Sequence, residues 1–305
     1  MSKSAILSSS IVKKYWMALT GLFLCLFLVG HLLGNLQLIF ITGEEGKVAF
    51  NEYAYFMTHN PAVKVLSYLT YFSILFHAID GLMLTIQNKK ARPTNYAMNK
   101  PNTNSSTPAR YMAILGTVVL VFICTHMVNF WAKMHFTNMP LHTITKSIEA
   151  PVGQDPTTGQ PVVKELEVDY VYTTNGQYQE SKVSLAEMNY SEEKYEIKKG
   201  TMLYDKTSGL KVAEGLKDLH SQVMTFFGQD IKGLPSNSNA LLYVILYVLS
   251  MAVLGFHLWH GFSSAFQTLG LRSKKYVGAI SMAGKLFAVI IPAAFAIIPI
   301  LIYLA

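Results

Sequence analysis

Four histidines, His31, His77, His126 and His257, each stand deep inside a different long apolar run. An imidazole surrounded by hydrocarbon needs a hydrogen-bond partner or a ligand role, because a polar group left unsatisfied there is costly. Taken singly, each fits a hydrogen-bonded contact between helices. Depth turns them into a set. His31 lies fifteen residues beyond Trp16, and His126 fifteen beyond Tyr111. At about 1.5 Å of rise per residue, both sit about 22 Å from the edge where their helices begin. The two helices between run the other way. His77 is sixteen residues past Pro61 and His257 seventeen past Ala240, about 24–26 Å from the opposite edge of a ~30 Å hydrocarbon core. The four therefore sort into two pairs, one near each face and roughly 15 Å apart in depth. Two imidazoles from different helices are the ligand set of a bis-histidine haem, with both axial positions filled, which favours electron transfer over oxygen binding.

The phrases FHAIDG and FHLWHG repeat Phe-His-x-x-x-Gly and align His257 with His77, and His260 with Asp80. His257 and His260 project about 60° apart around a helix, so facing alone does not choose between them. Depth selects His257. Asp80 is the one acid inside an apolar run; it is either paired and functional or reaches the interface with His260. Gly30, Gly34, Gly81 and Gly261 offer room beside the histidines, although glycine also serves helix packing. His59, His135, His142 and His220 fall outside the apolar runs and read as surface or helix-end residues.

The elements that must carry these residues follow from the charge pattern. The 305 residues are 51% hydrophobic and 14% charged, low in charge for a soluble domain. No charge occurs between Lys14 and Glu44, and four more apolar stretches cover residues 65 to 88, 111 to 132, 240 to 266 and 276 to 305. Each is long enough to cross a bilayer. The expected fold class is thus an all-α, five-helix membrane bundle. Residues 1 to 135 hold helices 1 to 3, residues 136 to 239 form an external (extracytoplasmic), partly β insertion, and residues 240 to 305 hold helices 4 and 5. The first run is too long for a cleavable signal and lacks a cleavage site. With no Arg- and Ser-rich presequence either, a bacterial plasma membrane is expected.

Basic residues set the expected orientation. Lys3, Lys13 and Lys14 precede helix 1; Lys89, Lys90, Arg92, Lys100 and Arg110 lie between helices 2 and 3; Arg272, Lys274 and Lys275 lie between helices 4 and 5. None of these segments holds an acid, so the N-terminus is expected in the cytoplasm and the C-terminus outside. The insertion carries ten Lys and fourteen Asp or Glu, and the remainder of the chain sums to +11. A basic rim of this kind suits anionic lipid or an acidic soluble partner, and not nucleic acid.

Within the insertion, VVKELEVDYVYTT alternates apolar with polar, Asn175-Gly176 offers a hairpin turn, and YQESKVSL continues as a strand. TSGLK marks a second turn, and KDLHSQVMTFFG reads as a short amphipathic helix. Cys25 and Cys124 both fall in apolar runs as small packing residues; covalent haem attachment through CxxCH has no signal.

With VGHLLGN, FHAIDG, CTHMVNFW and FHLWHGFSSAFQTLG in view, the chain resembles the di-haem cytochrome b membrane anchor of succinate:quinone oxidoreductases and fumarate reductases, in its single-chain five-helix bacterial form. The resemblance covers the membrane portion, about two thirds of the chain. It implies that His31 and His126 ligate a distal haem b near the outer face, and His77 and His257 a proximal haem b near the cytoplasm. It implies an FAD-containing flavoprotein and an iron–sulfur subunit docked on the cytoplasmic face, with a quinone, menaquinone in this group, as the electron acceptor. The anchor itself would not oxidise succinate. The long third connection departs from the family pattern. Reducing a quinone needs proton-handling groups near an apolar ring, and Glu52 and His59 are the candidates. Two alternatives remain: the cytochrome b subunit of another respiratory complex, such as a hydrogenase or formate dehydrogenase, and a histidine-based proton-coupled transporter. The transporter would need midplane groups and broken helices.

Overall fold

The computed structural model describes residues 9–92, 94, 106–185 and 190–305. Lys3, Lys100 and most of the Pro-, Asn-, Ser- and Thr-rich stretch TNYAMNKPNTNSSTPAR between helices 2 and 3, which reads as an irregular loop, lie outside them. The chain divides into two compact units: Met1–Thr42 with Met57–Asn129 and Val223–Ala305, and Gly43–Phe56 with Phe130–Gln222. The second unit thus joins a segment of the first connection to most of the insertion expected over residues 136 to 239.

In chain order the helices are α1 (Ser10–Phe40), α2 (Gly43–His59), α3 (Pro61–Ala91), α4 (Thr107–Arg110) and α5 (Met112–His126). A π-helical turn, Met127–Ala132, follows and leads into α6 (Lys133–Phe136). Seven strands then precede α7 (Leu219–Phe226), α8 (Ala240–Thr268) and α9 (Val277–Leu304).

Five helices of the described residues are long and apolar enough to cross a membrane: α1, α3, α8, α9 and the stretch Met112–Phe136. Large apolar side chains face outward along them, among them Leu26, Leu33, Phe72, Ile114 and Leu286. A helix that is apolar all round belongs in a core or in lipid. The chain is accordingly a helical multi-pass membrane protein carrying a small antiparallel sheet region.

Local chemistry explains the helix boundaries. Asn60 caps α3, its Oδ1 accepting from Ala62 N at 2.9 Å and Val63 N at 3.3 Å. Pro61 follows at the first helical position, where its missing N–H costs nothing. Pro292 and Pro299 lie inside α9, which continues through both. Pro292 cannot donate to the Ala288 carbonyl one turn earlier. There α8 comes close: a Cβ built on Gly255 would stand 3.0 Å from that oxygen. In the first unit α1 packs on α3, α8 and α9, while α5 packs on α3 and α8. Its core gathers Cys25, Met251, Leu254, Leu258 and Ala288.

The second unit is built on β1 (Thr143–Gln154), β2 (Pro161–Tyr172), β3 (Tyr178–Leu185) and β4 (Tyr190–Glu193), an antiparallel sheet in that order. A second antiparallel sheet contains β5 (Tyr195–Lys198), β6 (Met202–Asp205) and β7 (Lys211–Glu214). Gly176, at φ +76°, sits in the turn between β2 and β3, a conformation that favours glycine. The β1–β2 and β6–β7 connections share one turn chemistry. Asp155 Oδ1 accepts from the amides of Thr157 and Thr158, and Asp205 Oδ1 from those of Thr207 and Ser208. Each turn ends on a glycine of positive φ, Gly159 and Gly209. These backbone donors hold both aspartates below their ordinary pKa. Leu141, Val171, Leu203 and Ala213 form the core of this unit.

Candidate functional site

All four intramembrane histidines belong to the first unit, and their rings stand in two pairs. His31 from α1 faces His126 at the end of α5, with ring centroids 5.8 Å apart and planes at 86°. His77 from α3 faces His257 from α8, at 6.2 Å and 67°.

Aromatic and polar neighbours fix each ring. His31 stacks on Phe27 one turn earlier, at 5.4 Å and 13°, and meets Phe295 of α9 at 5.6 Å. Asn35 Nδ2 donates to the His31 carbonyl at 2.7 Å and lies 3.5 Å from His31 Nδ1. His126 lies 5.7 Å from Phe122, and its Nδ1 is 3.4 Å from the Tyr247 hydroxyl.

His77 has a defined tautomer. Thr20 Oγ1 commits its proton to the Trp16 carbonyl at 2.7 Å. Its oxygen then accepts from His77 Nδ1 at 3.3 Å, and the Met17 carbonyl accepts from the same nitrogen at 3.2 Å. With the proton on Nδ1, the lone pair of His77 is on Nε2, as a metal ligand requires. His257 is the opposite case: its Nδ1 is buried with no hydrogen-bond partner.

The pairs can be tested against a haem by distance. Two imidazoles on opposite sides of one metal ion bond to it at about 2 Å, with ring centres ~1.2 Å behind the bound nitrogens, so their centroids lie about 6.4 Å apart. The observed 5.8 and 6.2 Å are close to that value. A macrocycle that brings four nitrogens of its own needs only two from the protein, and each pair offers two imidazoles.

Two glycines on other helices lie against the rings. A Cβ on Gly21 would stand 3.1 Å from His77 Cε1, and one on Gly116 would stand 3.5 Å from His257 Cε1. Gly30 faces open space, Gly81 is 3.9 Å from Met17 and Gly261 is 3.5 Å from Met112. Gly21 and Gly116 act across a helix contact, which leaves no local pattern in the chain.

The remaining candidates are dispersed. Asp80 is half-buried, one turn beyond His77. His260 Nε2 lies 3.1 Å from Ser264 Oγ, within its own helix. Glu52 belongs to the second unit, where Tyr172 donates to its carboxylate at 2.6 Å. His59 belongs to the first, with its Nδ1 3.0 Å from Thr58 Oγ1. Glu52 and His59 thus fall in different units.

The second unit holds a polar cluster that local pattern did not reveal. His142 is fully buried, and its Nε2 lies 2.6 Å from Glu44 Oε1, an oxygen that also accepts from the Tyr178 hydroxyl. Asn51 Oδ1 accepts from the His220 amide at 2.8 Å, while its Nδ2 donates to Asp218 Oδ1 at 3.0 Å and lies 3.3 Å from His142 Nδ1. Those bonds fix the amide, so His142 accepts at Nδ1 and donates at Nε2. Lys47 completes the cluster against Asp218 at 3.0 Å. Burial lowers the His142 pKa, with Glu44 working the other way. Burial also opposes the Asp218 charge, yet Lys47 and the Asn51 and Ser221 donors hold its pKa below the ordinary value. Tyr172 is pushed up to about 12 by burial and by its bond to Glu52.

Comparison with protein-family models, with curated proteins and with solved structures gives no match.

Proposed function

We propose that the chain is a di-haem cytochrome b membrane anchor of the succinate:quinone oxidoreductase and fumarate reductase type. The observation that carries the reading is the pair of cross-helix histidine contacts at 5.8 and 6.2 Å, a separation that would suit two imidazoles holding one metal ion. His31 and His126 would hold one haem b, and His77 and His257 the other. What those groups supply, when bound, is one-electron transfer between a soluble iron–sulfur partner and a membrane quinone. The protein's own part is to present Nε2, lock each ring and exclude water. The Met17 carbonyl and Thr20 do this for His77. Phe27 and Phe295 do it for His31.

The partners in this reading are a flavoprotein and an iron–sulfur protein on the cytoplasmic face, with menaquinone in the bilayer of a bacterial plasma membrane. Lys89, Lys90, Arg92, Arg110, Arg272, Lys274 and Lys275 would form the basic rim that receives them, with the N-terminus cytoplasmic.

Purified membranes carrying the chain should give a dithionite-reduced b-type spectrum and close to two haems per polypeptide by pyridine haemochrome. His31→Ala and His257→Ala should each remove one. A haem-free wild type, or variants that keep both haems, would overturn the reading. Copurification with flavin and iron–sulfur subunits, and not with a hydrogenase or formate dehydrogenase, assigns the complex.

A further inference from the structure

We infer that Tyr247 is a positioning residue for His126 and sets the properties of the iron that His126 ligates; this rests on the proposed haem-binding role. Tyr247 lies on α8, ten residues before His257, and reaches across to the end of α5. Its hydroxyl is 3.4 Å from His126 Nδ1 and also hydrogen-bonds the Asn129 side chain. When His126 binds metal through Nε2, its Nδ1 carries the proton and donates, so the Tyr247 oxygen accepts. Such an outer acceptor orients the ring and makes it a stronger donor to the metal. A stronger donor favours the oxidised iron and lowers its potential.

Four contacts hold Tyr247 in place, so this geometry is built rather than incidental. Phe122 of α5 meets its ring at 5.0 Å, Phe227 at 5.1 Å and Phe226 at 5.9 Å, and the His126 ring at 6.0 Å. These ring contacts leave Tyr247 partly buried, and away from bulk water a hydrogen bond gains strength from the lower dielectric. The first turn of the π-helical segment begins immediately after His126. Single-turn π segments inside helices frequently mark functional sites. The histidines differ in this respect. His77 donates to a backbone carbonyl, His257 Nδ1 has no partner, and His126 has a tyrosine.

The test is a redox titration of the b-type absorbance in membranes holding the intact complex, with haem content measured in parallel. Tyr247→Phe should keep two haems per chain and move the midpoint of one component upward while the other stays in place. Loss of one haem alone supports the same role in stronger form. Tyr243→Phe is the control. Its ring meets Phe226 at 4.6 Å and 38°, one turn before Tyr247, and it should move neither midpoint. Unchanged midpoints in Tyr247→Phe, loss of both haems, or an equal shift in Tyr243→Phe would overturn the inference while leaving the haem reading intact. A wild type without haem would instead remove the reading on which it rests.

Discussion

A histidine in hydrocarbon is defined by what its second nitrogen does. His77 shows the consequence most fully: Thr20 and the Met17 carbonyl take its Nδ1 proton, and Gly21 leaves the ring just enough room. If His77 holds a haem as proposed, Gly21→Val should push the ring off its position and weaken that binding by about 10- to 100-fold, the usual effect of disturbing a ligand's support. Gly278→Val on α9, far from the four histidines in sequence and with nothing within 4 Å of its Cβ, should leave both proposed haems bound. Haem stoichiometry after detergent washing reads the difference, and equal retention in the two variants would remove Gly21 from the site. The identities of the four histidines could be read along the chain because depth is a one-dimensional quantity. The parts played by Gly21, Gly116 and Tyr247 could not, because each acts on a residue of another helix.

Among the elements, α2 carries a polar stripe that only its partners make legible. Its polar residues Glu44, Lys47 and Asn51 fall three and four positions apart, hence on one face of a helix, and in the second unit that face meets His142, Asp218 and the His220 amide. The Asn51 amide cannot turn without breaking two bonds, so a proton on His142 Nδ1 would face another donor. Burial lowers the pKa of His142 and of His220 below the ordinary 6.5. The folded unit then binds these protons less readily than the unfolded chain. Stability is fully present above pH 6.5 and declines as pH falls below it toward the lower folded values. Asp218, its pKa also lowered, loses its contribution only in stronger acid. Deuterium uptake by the amides of residues 44 to 56, corrected for intrinsic rate, should rise between about pH 7 and about pH 5.5. A flat profile over that range would show that His142 does not control the contact. The strands were easier to read than this helix. Asn175-Gly176 and TSGLK announce turns by residue type alone, whereas β1 carries a largely exposed, weakly alternating pattern and is defined by its pairing with β2.

For the whole molecule, apolar length and charge distribution bear on different things. Five long apolar helices make the chain a membrane protein, and the basic connections give the proposed orientation its direction. If that orientation holds, protease added to right-side-out spheroplasts should cut the turn between β1 and β2 around Thr157, which is exposed, and spare the connection at Arg272. Cleavage at Arg272 with Thr157 protected would invert the topology. The sequence by itself determined the number of long apolar helices, which of them carries each of His31, His77, His126 and His257, and the hairpin turns. Hydropathy, helical rise and turn propensity are local quantities that accumulate along one chain. Only the tertiary structure decided that Gly43–Phe56 joins the β strands in one compact unit, that Gly21 and Gly116 lie against the rings, and that Tyr247 meets His126. Each of these depends on which faces of separate elements come together, and side-chain packing across helices sets that.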